Sequence, residues 1–170
     1  MRPSRAVLIP WSPGRRFVFA GAGGSGTHAL ARFAHRHRRH LTLVSRSYPD
    51  APLYGPAPEV VGKRPAHRPR TKGEGLPTPQ EAVATATPTA RDVSWYGGSR
   101  RDIEVVPDSG HWPKSGKGLV PVRWAFVHDV TGTHRDDSFF RTDGDRAPKS
   151  IVETFTGRWS IEATFQEMRP

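Results

Sequence analysis

The chain has 170 residues, with 17 glycines, 17 prolines and no cysteine, and its formal net charge is +10 at pH 7. The missing cysteine excludes a disulfide framework and a thiolate metal site. No apolar run approaches the roughly 20 residues of a membrane span, and the N-terminal AVLIP is too short for a signal-peptide core.

A length of 170 residues suffices for one domain with a real core. Hydrophobic residues make up 35% and mean hydropathy is -0.62, so much of the chain is expected in loops. A soluble, cytoplasmic protein is the expectation. Arginine dominates the basic residues, and a pI near 11.0 favours polyanion partners, nucleic acid first. A general arginine bias would raise the charge in the same way.

Residues 1–15 are basic and broken by prolines, an irregular leader. RFVFA, from Arg16 to Ala20, reads as a short buried strand. GAGGSG follows, then THALARFAHRH, a helix with Thr27 at its N-cap and Leu30, Phe33 and Ala34 at helical spacing. LTLVS, from Leu41 to Ser45, is a second strand. Residues 16–48 thus form a strand–helix–strand unit of an α/β core. GAGGSG also fits the dinucleotide fingerprint Gly-x-Gly-x-x-Gly. Arg46 ends the second strand where an NAD site would place an acid, so that reading would require NADP.

The stretch 49–92 is proline-rich and aperiodic, with a basic cluster from Gly62 to Gly73. It reads as an extended linker. Residues 93–145 are β-rich. DVSWYGG, RRDIEVVP and VPVRWAFVHD are strands, with a turn at Trp95–Gly98, and SFFRTD (Ser138 to Asp143) is another. Asp143 and Asp145 read as turn and helix-start residues before Pro148. His35, His37 and His40 lie among arginines with no acidic partner, a basic helix end facing phosphate or solvent. His28 is either a helix-start residue or a neighbour of a site at the glycine turn.

The last segment, 146–170, carries FTGRWSIEATFQEMR. Ile161, Phe165 and Met168 have helical spacing. Phe155, Arg158, Glu162 and Arg169 are three, four and seven residues apart, which at about 100° per residue puts them on one helix face. A carboxylate between two guanidiniums suits metal and phosphate chemistry. An ordinary solvated Arg158–Glu162 pair would look the same and contribute only roughly 0.2–0.5 kcal/mol.

This pattern resembles the C-terminal signature of insertion-sequence DDE transposases, Tyr-x2-Arg-x3-Glu-x6-Lys. Phe155 stands for the Tyr and Arg169 for the Lys, and the spacing is kept. RWSIEATFQEMR is similar to the family's RWQIEVTFQEVR. FVFAGAGGSGTHALARF resembles the strand and turn that carry the family's second catalytic Asp, with Ala22 at the Asp position. The resemblance implies a partial RNase H-like α/β core, interrupted by the long Pro-rich linker and a β-rich insertion. It implies Glu162 as a catalytic metal ligand, Arg158 and Arg169 as DNA contacts, and Mg²⁺ as the family's cofactor. DNA at transposon ends, and a full-length transposase, are the implied partners. No Asp precedes Asp50, so the family's first carboxylate is expected to be missing as well. The expectation is a truncated remnant without strand-transfer activity. The alternatives are a non-catalytic DNA-binding protein that modulates a full-length transposase and, remotely, an NADP-binding domain.

Overall fold

Two short apolar strands joined by a helix pair in parallel when the helix packs back on the sheet. The computed structural model, which describes residues 14–59, 70–144 and 146–158, shows this at the start of the chain. β1 (Phe17–Gly21) leads through a 3-10 turn at Gly23–Ser25 into α1 (His28–Arg36), and β2 (Leu41–Arg46) returns beside β1. Phe17 lies opposite Leu41, and Gly21 opposite Ser45. Thr27 caps α1 as expected, its hydroxyl accepting from the Leu30 N–H at 3.3 Å.

The remaining pairings among the described residues are antiparallel. In chain order the elements are β3 (Leu53–Tyr54), β4 (Gly75–Leu76), α2 (Pro79–Thr85), β5 (Thr89–Ser94), β6 (Arg100–Lys114), β7 (Gly118–His128), β8 (Asp137–Arg141) and α3 (Pro148–Thr156). The sheet order is β1-β2-β8-β7-β6-β3-β4, and β5 also pairs with β6. The 15-residue β6 is long enough to hold β5 along its first half and to meet β3 at His111 in its second. The protein is therefore a mixed α/β fold with a mostly sheet core and few helices. No helix among the described residues is long and apolar enough to cross a membrane.

Period-two alternation divides the core between two faces. On one face Val44, Ala125, Val127 and Phe139 pack under Ile151, Val152 and Phe155 of α3. On the other, Leu43, Trp124 and Phe140 pack under Ala31 and Ala34 of α1, with Ala82 and Val83 of α2 alongside. Neighbours such as Phe139 and Phe140 serve opposite layers, and both are fully buried. Burying one such side chain stabilises the fold by about 1.5–3 kcal/mol.

Three expectations change. β1 is not a buried strand: Val18 and Phe19 are 46% and 51% exposed. Among the described residues only β2 pairs with it, so its outer edge has no strand beside it. The stretch 49–92 contains β3, β4, α2 and the start of β5, so its described parts belong to the sheet. A capping box of Thr78 and Glu81 starts α2, a local signal that the proline content masked. Finally, Phe155, where the sequence starts a helix, lies in the last turn of α3, which begins at Pro148 and ends at Thr156. Arg158 is helical again after a turn at Gly157, and residues 159–170 lie outside the described residues.

Candidate functional site

The resemblance assigns a catalytic aspartate to Ala22, at the C-terminal end of β1. Glycine is needed there because the chain folds tightly against itself. A Cβ on Gly21 would lie 2.4 Å from the Ser25 Cβ, and one on Gly26 would lie 2.4 Å from the Arg46 carbonyl oxygen. The buried Ser45 hydroxyl donates to the Gly21 and Ala22 carbonyls at 3.0 and 3.3 Å, tying the turn to β2. The Ser25 N–H also donates to the Ala22 carbonyl, at 2.7 Å. Ala22 itself is exposed at the exit of β1.

Arg46 links this turn to the opposite face. Its guanidinium pairs with Asp137 at 2.6 Å and lies 5.7 Å from the Phe155 ring centre. Arg158 lies over the same ring at 5.1 Å. Phe155 is buried and packs on Phe139 with ring centres 4.6 Å apart. The signature's aromatic position is thus a core residue that carries two cations on its ring. Burial pushes the Asp137 carboxyl up, against the pull of Arg46. Burial likewise raises the Tyr96 hydroxyl, which the charges of Arg46 and Arg158 oppose. Phe155 and Arg158 therefore meet at this end of the sheet together with Arg46, Asp137 and Tyr96. Sequence reasoning missed the last three. Glu162 and Arg169 lie outside the described residues.

The family's Mg²⁺ needs carboxylates from several elements converging on one phosphate. Ala22 offers a methyl group, and Asp137 is engaged by Arg46. Among the described residues no group of three His, Asp or Glu side chains is placed to hold a metal ion. These residues do not fit a two-metal centre.

The other ends of the same strands are built differently. Asp143, expected at a turn or helix start, is buried just beyond β8. It accepts from Arg141 through two nitrogens and from Thr42 Oγ1 at 2.9 Å, and pairs with Arg16 at 2.9 Å. Burial alone would raise its carboxyl. The Arg141 and Thr42 hydrogen bonds and the two guanidinium charges outweigh that and hold it below the usual carboxylate range. Its spacing of two from Arg141 was the available signal, since i and i+2 share a strand face. Asp145 lies outside the described residues. His28 is buried in the core, its Nε2 at 3.1 Å from the Trp112 carbonyl, and burial lowers its pKa. It is not a site residue. His37 Nδ1 bonds the Phe33 carbonyl at 2.7 Å, capping the end of α1. Comparison with models of protein families finds none that matches the chain, and comparison with curated proteins finds no match either.

Proposed function

We propose that the chain is a transposase-derived protein of the DDE insertion-sequence type, with part of an RNase H-like core and without the carboxylates to cut DNA alone. One observation carries this reading: Ala22 and Arg158, aligned independently to two family motifs, come to the same end of one sheet. Arg46 joins them, with its carbonyl against Gly26 and its guanidinium on the ring that also holds Arg158. The bare outer edge of β1 among the described residues supports it, because a first carboxylate-bearing strand would belong beside β1. Glu162 is then the remaining metal ligand, Arg158 and Arg169 contact DNA phosphates, and the protein works in the cytoplasm.

The test has two parts. Purified chain mixed with supercoiled DNA and Mg²⁺ should leave the DNA intact; nicking that disappears in Glu162→Gln would overturn the inactive reading. The DNA flanking the reading frame should encode an Asp-bearing strand upstream; flanks without transposase-like sequence would remove the family reading.

A second reading, a non-catalytic DNA-binding protein that modulates a full-length transposase, is favoured by the +10 charge. An NADP site finds less support. A doubly wound sheet is mostly parallel, whereas among the described residues only β1 and β2 run parallel. The close approaches of Gly21 and Gly26 are to the chain itself.

A further inference from the structure

At the end of the sheet where β1 and β2 begin, a cleft of about 840 Å³ opens. Arg16, Arg38, Arg39 and Arg123 line it, with His35 and His111. α1 delivers Arg38 and Arg39 at its C-terminal end, and both are exposed. The two carboxylates among the described lining residues do not neutralise this wall. Asp143 is satisfied by Arg141, Thr42 and Arg16, and Asp108 is exposed and accepts from the Ser109 N–H at 2.7 Å. Arg123 donates to the Gly144 carbonyl and Arg38 to the His35 carbonyl, so neither has its charge cancelled by a carboxylate. Arg39 has no hydrogen-bond or ion-pair partner among the described residues.

The floor of the cleft is of another kind. Tyr54, Leu76, Pro107 and Pro121 supply ring and aliphatic surface between the arginines. The basic lining also continues past this cleft. Lys72 sits 3.9 Å over the Tyr54 ring, and the Gly73 N–H bonds the Gly55 carbonyl at 3.3 Å. This joins the cleft to a second depression lined by Arg70, Lys72 and Lys114, with no acidic residue among the described residues of its wall.

A single phosphate would use one corner of such a surface. A duplex would present its phosphates and leave the apolar floor unused, since its bases are stacked inside. A single strand uses both features: guanidiniums track the phosphates while bases lie on ring and aliphatic surface. The geometry points to this cleft as a binding track for single-stranded nucleic acid, with Arg38, Arg39 and Arg123 on the phosphates and Tyr54, Leu76 and Pro107 under the bases. The track is at the opposite end of the sheet from Ala22 and Arg158 and does not depend on the transposase-derived reading.

The experiment is fluorescence anisotropy of a labelled oligothymidylate of ~12 nucleotides, within the usual site size, titrated with the full chain over a range of salt. The oligonucleotide should bind, and more tightly than a duplex of equal length. Arg39→Ala and Arg38→Ala should each weaken binding about tenfold at low salt and flatten the salt slope by ~0.7. Arg39→Lys should keep most of the affinity, and Arg135→Ala, at an exposed arginine outside both depressions, all of it. Circular dichroism of each variant separates lost binding from lost fold, and the exposed positions of Arg38 and Arg39 make folded variants the expectation. Absence of binding at low salt would overturn the proposal. So would equal or tighter binding of the duplex, or loss of binding in Arg135→Ala with the cleft variants unaffected. A failure of the DNA-cleavage or flanking-sequence tests leaves these readouts unchanged.

Discussion

The parallel pair β1–β2 has two ends, and they treat carboxylates in opposite ways. Where the strands begin, Asp143 is buried and surrounded by Arg141, Arg16 and Thr42. Where they finish, the position that the resemblance assigns to an aspartate holds the exposed Ala22. The difference teaches what each acid is for. A carboxylate built into the packing is fixed by every group that pairs with it, so its loss leaves buried charge behind. A carboxylate kept for chemistry points at a substrate, and the fold does not register its loss. Of these two positions, Asp143 holds a carboxylate of the first kind and Ala22 holds a methyl group.

Asp143→Asn should break the first end. Arg141 has only 6% of its side chain exposed, and the substitution leaves its guanidinium without a counter-charge. Removing one partner of a buried pair typically costs about 3–5 kcal/mol, to be read by urea denaturation at neutral pH. The pH dependence sharpens the point. The folded carboxyl titrates below its usual range, so its contribution is complete above the unfolded value of about 3.9 and is lost as pH falls through the folded value. Asp129 should add to the same acid loss. Burial would raise it, but the Thr131 and Thr133 hydroxyls and the His134 and Thr131 N–H groups hold it well below the ordinary range. Asp143→Asn should therefore flatten, but not abolish, the fall in stability on acidification. A loss under about 1 kcal/mol would mean that the two ends are not different in kind.

Much of this contrast was written in the sequence at short range. The strand–helix–strand unit could be read because its signals are local: apolar runs, a glycine turn and Thr27 at the N-cap. The later strands could be read from alternation such as Val122, Trp124 and Phe126. Asp143 could not be placed, because Thr42 and Arg16 lie about a hundred residues away and only pairing of β2 with β8 brings them close. The exposure of Val18 and Phe19 was equally illegible. An apolar run has the same letters whether or not a strand lies beside it. In 49–92 proline counts outweighed the Thr78–Glu81 box, although proline at the first helical turn favours a helix start. Arg46, Asp137 and Tyr96 come from three elements and share no spacing.

Gly26→Ala carries the comparison to the second end. The glycine turn is as tightly built as the Asp143 cluster, though it holds no charge. A methyl 2.4 Å from the Arg46 carbonyl forces the backbone to shift, and overpacking of this kind costs about 1–3 kcal/mol. Gly24→Ala is the control. Nothing lies within 4 Å of a Cβ there and φ is not positive, so stability should hold or rise by ~0.4–1 kcal/mol through the unfolded state. Equal losses in the two variants, measured by thermal melting, would show that the turn resists any side chain rather than one close approach.

The smallest expected effect is the most informative one. Ala22→Asp returns the carboxylate that the resemblance places at the exit of β1. Ala22 is exposed, and its carbonyl, which takes the Ser25 N–H, is unaffected by the side chain. Exposed substitutions away from special backbone or charge features fall within about 0.5 kcal/mol, so the melting temperature should barely move. Cleavage of DNA should not return either, because the resemblance gives the family's first aspartate no counterpart before Asp50. A loss above about 1 kcal/mol would show that the turn cannot hold a carboxylate at all. Ala22 would then be a structural residue of this fold rather than the mark of a lost ligand, and the alignment through GAGGSG would fall with it. An unchanged fold would leave the second end of the sheet as a frame that can still accept its acid, the opposite of what Asp143→Asn should show at the first.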